Sequence, residues 1–205
     1  YKNAGATLSN ITYLDGDKGE LFDRGYPIEQ IAEKSNFTEV MYLLLQGELP
    51  TQEQFGQFQK NINKYNYVAE EMKKIIDAFP RSAHPMGVLS TLTSALTAFN
   101  PKAVNVKSKE DLDHAAEMLI AKFSHLCAWT YRKTLGLPIN HGDNSLNYVE
   151  NFYKMTFRMP NQEFELDPVV VDALDKILIL HADHEQNCST STVRMVGSAQ
   201  TGLFA

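Results

Sequence analysis

His181, Asp183, His184 and Glu185 fall close together in the run Leu180-His181-Ala182-Asp183-His184-Glu185-Gln186-Asn187. Ser189-Thr190-Ser191-Thr192-Val193-Arg194 follows directly. Imidazoles beside carboxylates, at this density, suit hydrogen-bond donation to an anion or proton transfer, and titratable groups concentrate where function is. The Ser/Thr cluster offers N-cap candidates for a new helix. A helix start presents unpaired N–H groups that favour an anion. The junction therefore reads as a site for a small anionic ligand, with His184 as the cationic or hydrogen-donating contact. A metal reading on His181, Asp183 and His184 has weaker support. The two histidines are three apart, whereas H-E-x-x-H needs four, and H-x-x-E-H is absent as well.

The element that must position these groups lies just upstream, from Asp167 to Leu180. Val170, Leu174, Ile177 and Leu178 repeat at helical spacing, and the last turn is apolar all round. Such a helix is normally buried, so the histidines are expected near the interior or on the floor of a cleft. If the helix runs on, His181 extends the face of Ile177 and His184 that of Leu180. A helix C-terminus favours a protonated imidazole by roughly 0.3–1 kcal/mol.

Elsewhere the pattern is an all-α bundle of about eight to ten helices with a short N-terminal β-hairpin. Ile11-Thr-Tyr-Leu14 and Glu20-Leu-Phe22 flank the turn run Asp15-Gly-Asp-Lys-Gly19. Pro27 is placed to open a short helix at its first position. Phe37, Val40, Met41, Leu44 and Leu45 form one stripe closed by Gly47. Thr51 and Gln54 make a capping box for the helix that carries Phe55, Phe58 and Ile62. Further helices are expected over 68–79, stopped by Pro80, over 86–99, from a Ser108 cap through Lys133 with Gly136 behind it, and over 145–157. A polar loop is expected over 102–107. The 108–133 helix carries apolar residues on more than one side, which predicts packing on several faces, one of them against another subunit.

With 205 residues, the chain is long enough for one good core. It is 43% hydrophobic and 21% charged, with a formal net charge of -6. That balance, without a Lys/Arg run, argues against nucleic acid and anionic membranes as partners. No apolar stretch reaches the ~20 residues of a membrane span. Cys127 and Cys188 read as reduced thiols rather than a disulfide framework, which predicts a cytoplasmic protein. Neither end reads as a natural terminus.

The run His181-Ala-Asp-His-Glu-Gln-Asn-Cys-Ser-Thr-Ser-Thr-Val-Arg194 resembles the citrate synthases, in particular the bacterial, hexamer-forming type. Ile11-Thr-Tyr-Leu-Asp-Gly-Asp-Lys-Gly19, Arg24-Gly-Tyr-Pro-Ile-Glu-Gln30, Leu45-Gln-Gly-Glu-Leu-Pro-Thr51 and His84-Pro-Met86 carry the same resemblance, in the family's order. It implies condensation of acetyl-CoA with oxaloacetate and hydrolysis of citryl-CoA, the entry to the tricarboxylic acid cycle, with no cofactor beyond the acetyl-CoA substrate. By that resemblance His184 and Asn187 contact oxaloacetate, and His181 and Asp183 support the His184 ring. The family's catalytic base and enol-stabilising histidine have no match here, so the 205 residues alone are expected to be inactive.

The expected organisation is an N-terminal hairpin segment over 1–25. An incomplete helical large domain over 26–205 is expected to follow it. The partners implied are acetyl-CoA, oxaloacetate and further copies of the chain, as a homodimer or hexamer. In the hexameric type NADH inhibits from a separate site. The corresponding positions here are Lys64, in Lys64-Tyr65-Asn66-Tyr67, and Lys122, with Met118 where a second basic residue would stand. Other readings are a 2-methylcitrate synthase using propionyl-CoA, a non-catalytic helical scaffold, and a metal-dependent hydrolase on His181, Asp183 and His184.

Overall fold

Alternation along Thr12–Asp15 and Glu20–Asp23 does produce a hairpin, β1 and β2, paired antiparallel with Thr12 opposite Asp23. The Asp15 carboxylate closes the turn by accepting the N–H groups of Asp17 and Lys18, at 3.2 and 3.1 Å. A third strand, β3 (Tyr26–Pro27), pairs with β2, beyond the two-stranded hairpin that the sequence predicts. Its turn is Arg24-Gly25, both at positive φ, +51° and +89°. That geometry suits a tight two-residue hairpin, but arginine in its first position does not advertise one. In this computed structural model residues 7–101, 108–199, 202 and 203 are described, so the loop expected over 102–107 lies outside the described residues.

Nine helices follow among the described residues. They are α1 (Ile28–Lys34), α2 (Phe37–Gln46), α3 (Gln52–Tyr65), α4 (Glu71–Ala78), α5 (Pro85–Phe99), α6 (Lys109–Leu135), α7 (Tyr148–Phe157), α8 (Pro168–Leu180) and α9 (Cys188–Gly197). Pro27 stands one position earlier than expected, as the residue capping α1 rather than the first inside it. Local caps set most of the boundaries. Thr51 and Gln54 exchange backbone and side-chain bonds at the start of α3. Gly47 and Gly136 close α2 and α6 in the left-handed region, which costs glycine least. Ser108 accepts the Asp111 N–H to open α6. Capping boxes from Asn36 with Glu39, and from Asn147 with Glu150, open α2 and α7. The second places the start of α7 beyond the expected Ser145.

Contacts group the chain into two units, one of 1–58 with 172–199, the other of 59–171 with 200–205. The first holds the sheet, α1, α2, α9 and most of α8. Its core is Ile28, Ile31, Val40, Leu43 and Ile179. The second unit centres on α6. Val88, Leu92 and Leu96 from α5, Met72 and Ile76 from α4, and Ala115, Met118, Leu126 and Trp129 from α6 form its core. The several buried faces of α6 are therefore met by α4, α5 and α7 of the same chain. Arg132, fully buried on α6, donates to the carbonyls of Pro138, Thr156 and Arg158, and so ties the loop after α6 to the end of α7.

Candidate functional site

The His181–Asn187 segment belongs to the first unit and hangs from the C-terminal end of α8. Two contacts seat that helix. Ile179 enters the core. Asp175 accepts the N–H of Phe37, the first residue of α2, with both carboxylate oxygens at 3.1 Å. A carboxylate at a helix start is favourable because the free N–H groups there carry partial positive charge. Burial of Asp175, the larger effect, pushes its carboxyl up, and the Phe37 bond works against that.

One expectation for α8 fails, and one condition set on it is not met. First, it is not buried all round. Ile179 is its one buried residue among those described, while Val169, Ile177 and Leu180 are exposed. Among the described residues only one side of α8 has partners, and an apolar composition does not say what covers the other sides. Second, the helix does not run on through the histidines; it stops at Leu180. His181 Nδ1 lies 2.7 Å from the Ile177 carbonyl, and His184 Nε2 lies 2.7 Å from that of Leu180. The imidazoles thus take carbonyls that the next helical turn would have used. Glu185, at φ +69°, turns the chain away.

A ring nitrogen facing a carbonyl must carry its hydrogen. His184 is therefore protonated on Nε2, which leaves Nδ1 to meet a ligand. Nδ1 accepts a hydrogen bond when the ring is neutral and donates one when it is doubly protonated. His184 and His181 are both exposed, with ring centroids 6.1 Å apart. The fixing contact for the His184 ring is the Leu180 carbonyl rather than Asp183. Asp183 instead receives the Thr12 hydroxyl from β1 and the Glu185 N–H at 3.3 Å.

Asn187 caps α9. Its Oδ1 accepts the Thr190 N–H at 2.9 Å, a role expected of the Ser/Thr cluster that follows. Asn187 is itself exposed, at the start of a ten-residue helix. His184, Asn187 and the α9 N-terminus thus lie within one short turn of chain, a composition suited to an anionic ligand. Among the described residues, no group of three or more His, Cys, Asp or Glu side chains could hold a metal ion.

Thr12 and Asp23 are site neighbours that sequence reasoning missed. The hairpin is legible in the sequence, but its register, which pairs Asp15 with Glu20 and so sets Thr12 opposite Asp23, is not. Nor is their approach to Asp183, 171 residues away from Thr12.

Lys64 and Lys122 lie in the second unit. Lys64 is exposed, its ammonium 5.2 Å from the centre of the Tyr65 ring. Lys122 is only 7% exposed, and its ammonium donates to the carbonyls of Tyr65, at 3.0 Å, and Tyr67. Burial pulls its pKa below the ordinary lysine value.

The sequence model of a family described as citrate synthase, C-terminal domain, matches residues 1–205. Citrate synthase 1 of Mycobacterium tuberculosis is 48% identical over the whole chain, which covers 47% of that relative. The citrate synthase of Corynebacterium glutamicum is 47% identical with the same coverage. The chain thus spans about half the length of the curated relatives it matches. Among solved structures, the citrate synthase of Pyrobaculum aerophilum superposes with a TM-score of 0.88 at 32% identity, over 98% of this chain and 51% of that one. A Thermoplasma acidophilum citrate synthase, in ternary complex with carboxymethyl coenzyme A and oxaloacetate, gives 0.91 at 24% identity with the same coverage, a likeness of fold. With the family's model matched from end to end and its fold reproduced, the chain belongs to the citrate synthase family.

Proposed function

We propose that the longer protein containing these residues is an acyltransferase that condenses acetyl-CoA with oxaloacetate and releases citrate and CoA. The observation that carries this reading is the end-to-end family match, with His184 standing in the H-x-D-H-E run. The oxaloacetate and coenzyme A analogue held by the Thermoplasma neighbour support both substrate classes. In this reading, His184 Nδ1 meets an oxaloacetate carboxylate as a donor from the doubly protonated ring. The Asn187 amide and the first N–H groups of α9 add neutral donors, so the dianion is held without a metal. The base that removes the acetyl-CoA methyl proton and the histidine that stabilises the enol come from the rest of the longer protein. The 205 residues by themselves do not turn over, because members of a catalytic set act as a unit.

A homodimer or hexamer is part of the proposal. It is supported by the apolar side chains left exposed on α8 and α9, among them Ile177, Leu180, Val193 and Met195. Cytoplasmic location is also proposed, on the two unpaired cysteines. Among the described residues, no helix is long and apolar enough to cross a membrane.

The test is release of free thiol by the full-length protein with oxaloacetate and either acetyl-CoA or propionyl-CoA. Faster turnover of acetyl-CoA is expected. A preference for propionyl-CoA would make the protein a 2-methylcitrate synthase, and no release from either would leave a scaffold. His184→Ala should raise the oxaloacetate KM roughly ten- to hundredfold, the worth of a hydrogen bond to a charged group. The acetyl-CoA KM should hardly move. An unchanged oxaloacetate KM with a large fall in Tm would instead make His184 a packing residue.

A further inference from the structure

The Thr12 hydroxyl stands between two carboxyl groups. Its Oγ1 is 3.2 Å from Asp23 Oδ1 and in close hydrogen-bond contact with Asp183 Oδ2. A hydroxyl carries one hydrogen and two lone pairs. It can donate to one of these oxygens only. The other contact needs a hydrogen from its own carboxyl; with both aspartates ionised, it would set lone pair against lone pair.

The surroundings decide which carboxyl supplies that hydrogen. Asp23 is 0% exposed, and its Oδ2 meets no hydrogen-bond partner among the described residues. An ionised carboxylate buried with one oxygen unpaired is costly, and such a group neutralises instead. Burial is the largest influence on Asp23 and pushes its carboxyl up. The Asp183 charge adds to that rise, while the Thr12 bond and His184 oppose it. Asp183, by contrast, is only half-buried and collects a second donor, the Glu185 N–H. Gathering donors is what an anionic acceptor does.

We propose that Asp23 is a neutral carboxylic acid that donates from Oδ1 to the Thr12 hydroxyl, which in turn donates to the Asp183 carboxylate, and that this chain of bonds positions His184. It runs from β2 through β1 to the residue next to His184. It holds the Asp183 peptide against the hairpin while Glu185 turns away, and so sets where the His184 ring meets the Leu180 carbonyl and where Nδ1 points. Asp23 and Thr12 are positioning residues; neither needs to touch a substrate. The inference rests on the oxaloacetate role proposed for His184, but its protonation half can be read without any substrate.

Infrared spectroscopy of the full-length protein at neutral pH tests the first half. The carbonyl stretch of a neutral carboxylic acid should be present in the parent and missing from Asp23→Asn. If the two spectra match in that region, Asp23 is ionised and the proposal is overturned, whether or not the protein makes citrate. Thiol-release kinetics test the second half. Thr12→Val removes the linking hydroxyl while keeping its shape, and should raise the oxaloacetate KM roughly tenfold, the worth of one hydrogen bond to a charged group. The acetyl-CoA KM should stay put, and Thr12→Ser should restore the parent value. A Thr12→Val protein with parental oxaloacetate KM would overturn the positioning role. So would equal changes in both substrates' KM values, since a merely structural defect moves them together.

Discussion

Mild acid should weaken this fold through His125. The residue lies on α6, 4% exposed, beside Ser124 and against Gly142. A methyl group added to Gly142 would come within 2.6 Å of the His125 ring nitrogen Nε2, so nothing larger than glycine fits there without displacing the ring. Burial pulls the imidazole from its ordinary 6.5 down to about 4; a bond to the Ala121 carbonyl opposes this, and the charges of Lys122 and His141 add to it. The unfolded chain therefore takes up the proton near 6.5 and the folded chain only near about 4. Across that window the unfolded state binds more protons. The contribution of His125 to stability is complete above 6.5 and is lost as the pH falls toward about 4. At about 1.4 kcal/mol per pH unit, the interval is worth about 3 kcal/mol. That is a large share of the roughly 5–15 kcal/mol that holds a domain together. Asp23, Glu117 and Asp175, raised by burial, bind protons more readily when folded and pull the other way. Asp143 is held low, chiefly by its Lys154 bond and then by Ser145, and acts only below the ordinary carboxylate range. Comparing variants isolates the histidine. Urea midpoints of the parent should fall as the pH drops from 6.5 toward 4, and His125→Gln, which cannot titrate, should show a shallower fall. Identical acid limbs in the two proteins would refute the argument and move the sensitivity to another group.

Lys122→Met keeps the aliphatic stem but leaves the Tyr65 and Tyr67 carbonyls without their donor, and should cost roughly 1–3 kcal/mol by urea unfolding. Lys64→Ala, at an exposed position, should stay within about 0.5 kcal/mol of the parent. Equal stabilities would show that the buried ammonium does not support the end of α3. The full-length protein should sediment as a dimer or hexamer at micromolar concentration, and Met195→Asp on α9 should shift it toward monomer. An assembly indifferent to that change would remove α9 from the interface.

Much of the fold could be read from the sequence because its signals are local. Ser108 before α6, Gly136 after it, the Thr51–Gln54 box and Gly47 each act within a few residues, and each stands where expected. What could not be read depends on distant partners. The apolar turns of α8 predict a buried helix, yet Ile177 and Leu180 are exposed while Ile179 is buried. Periodicity reports how apolar a face is, and the neighbours decide whether it is covered. The end of α8 escaped for a different reason. A run from His181 to Asn187 contains no proline or glycine to stop a helix. Two imidazoles stop it by bonding to carbonyls four residues back.

The same distinction separates the chemistry of the site from its geometry. That a histidine, His184, stands beside a helix start follows from residue types within one stretch of chain. Which of its nitrogens is offered does not, because ring orientation depends on the Leu180 carbonyl being left open by the helix ending there. Nor does the position of that turn, which depends on Thr12 meeting Asp183 across 171 residues. Thr12 can bridge to Asp183 only if the β1–β2 register sets it against Asp23, and that register follows from the four residues Gly16–Gly19 between the paired ends Asp15 and Glu20. A one-residue slip in that turn would send Thr12 to the other face of the sheet. The hairpin, at the far end of the sequence from the histidines and with no ligand-type role of its own, thus acts on the site by setting where Asp183 is held.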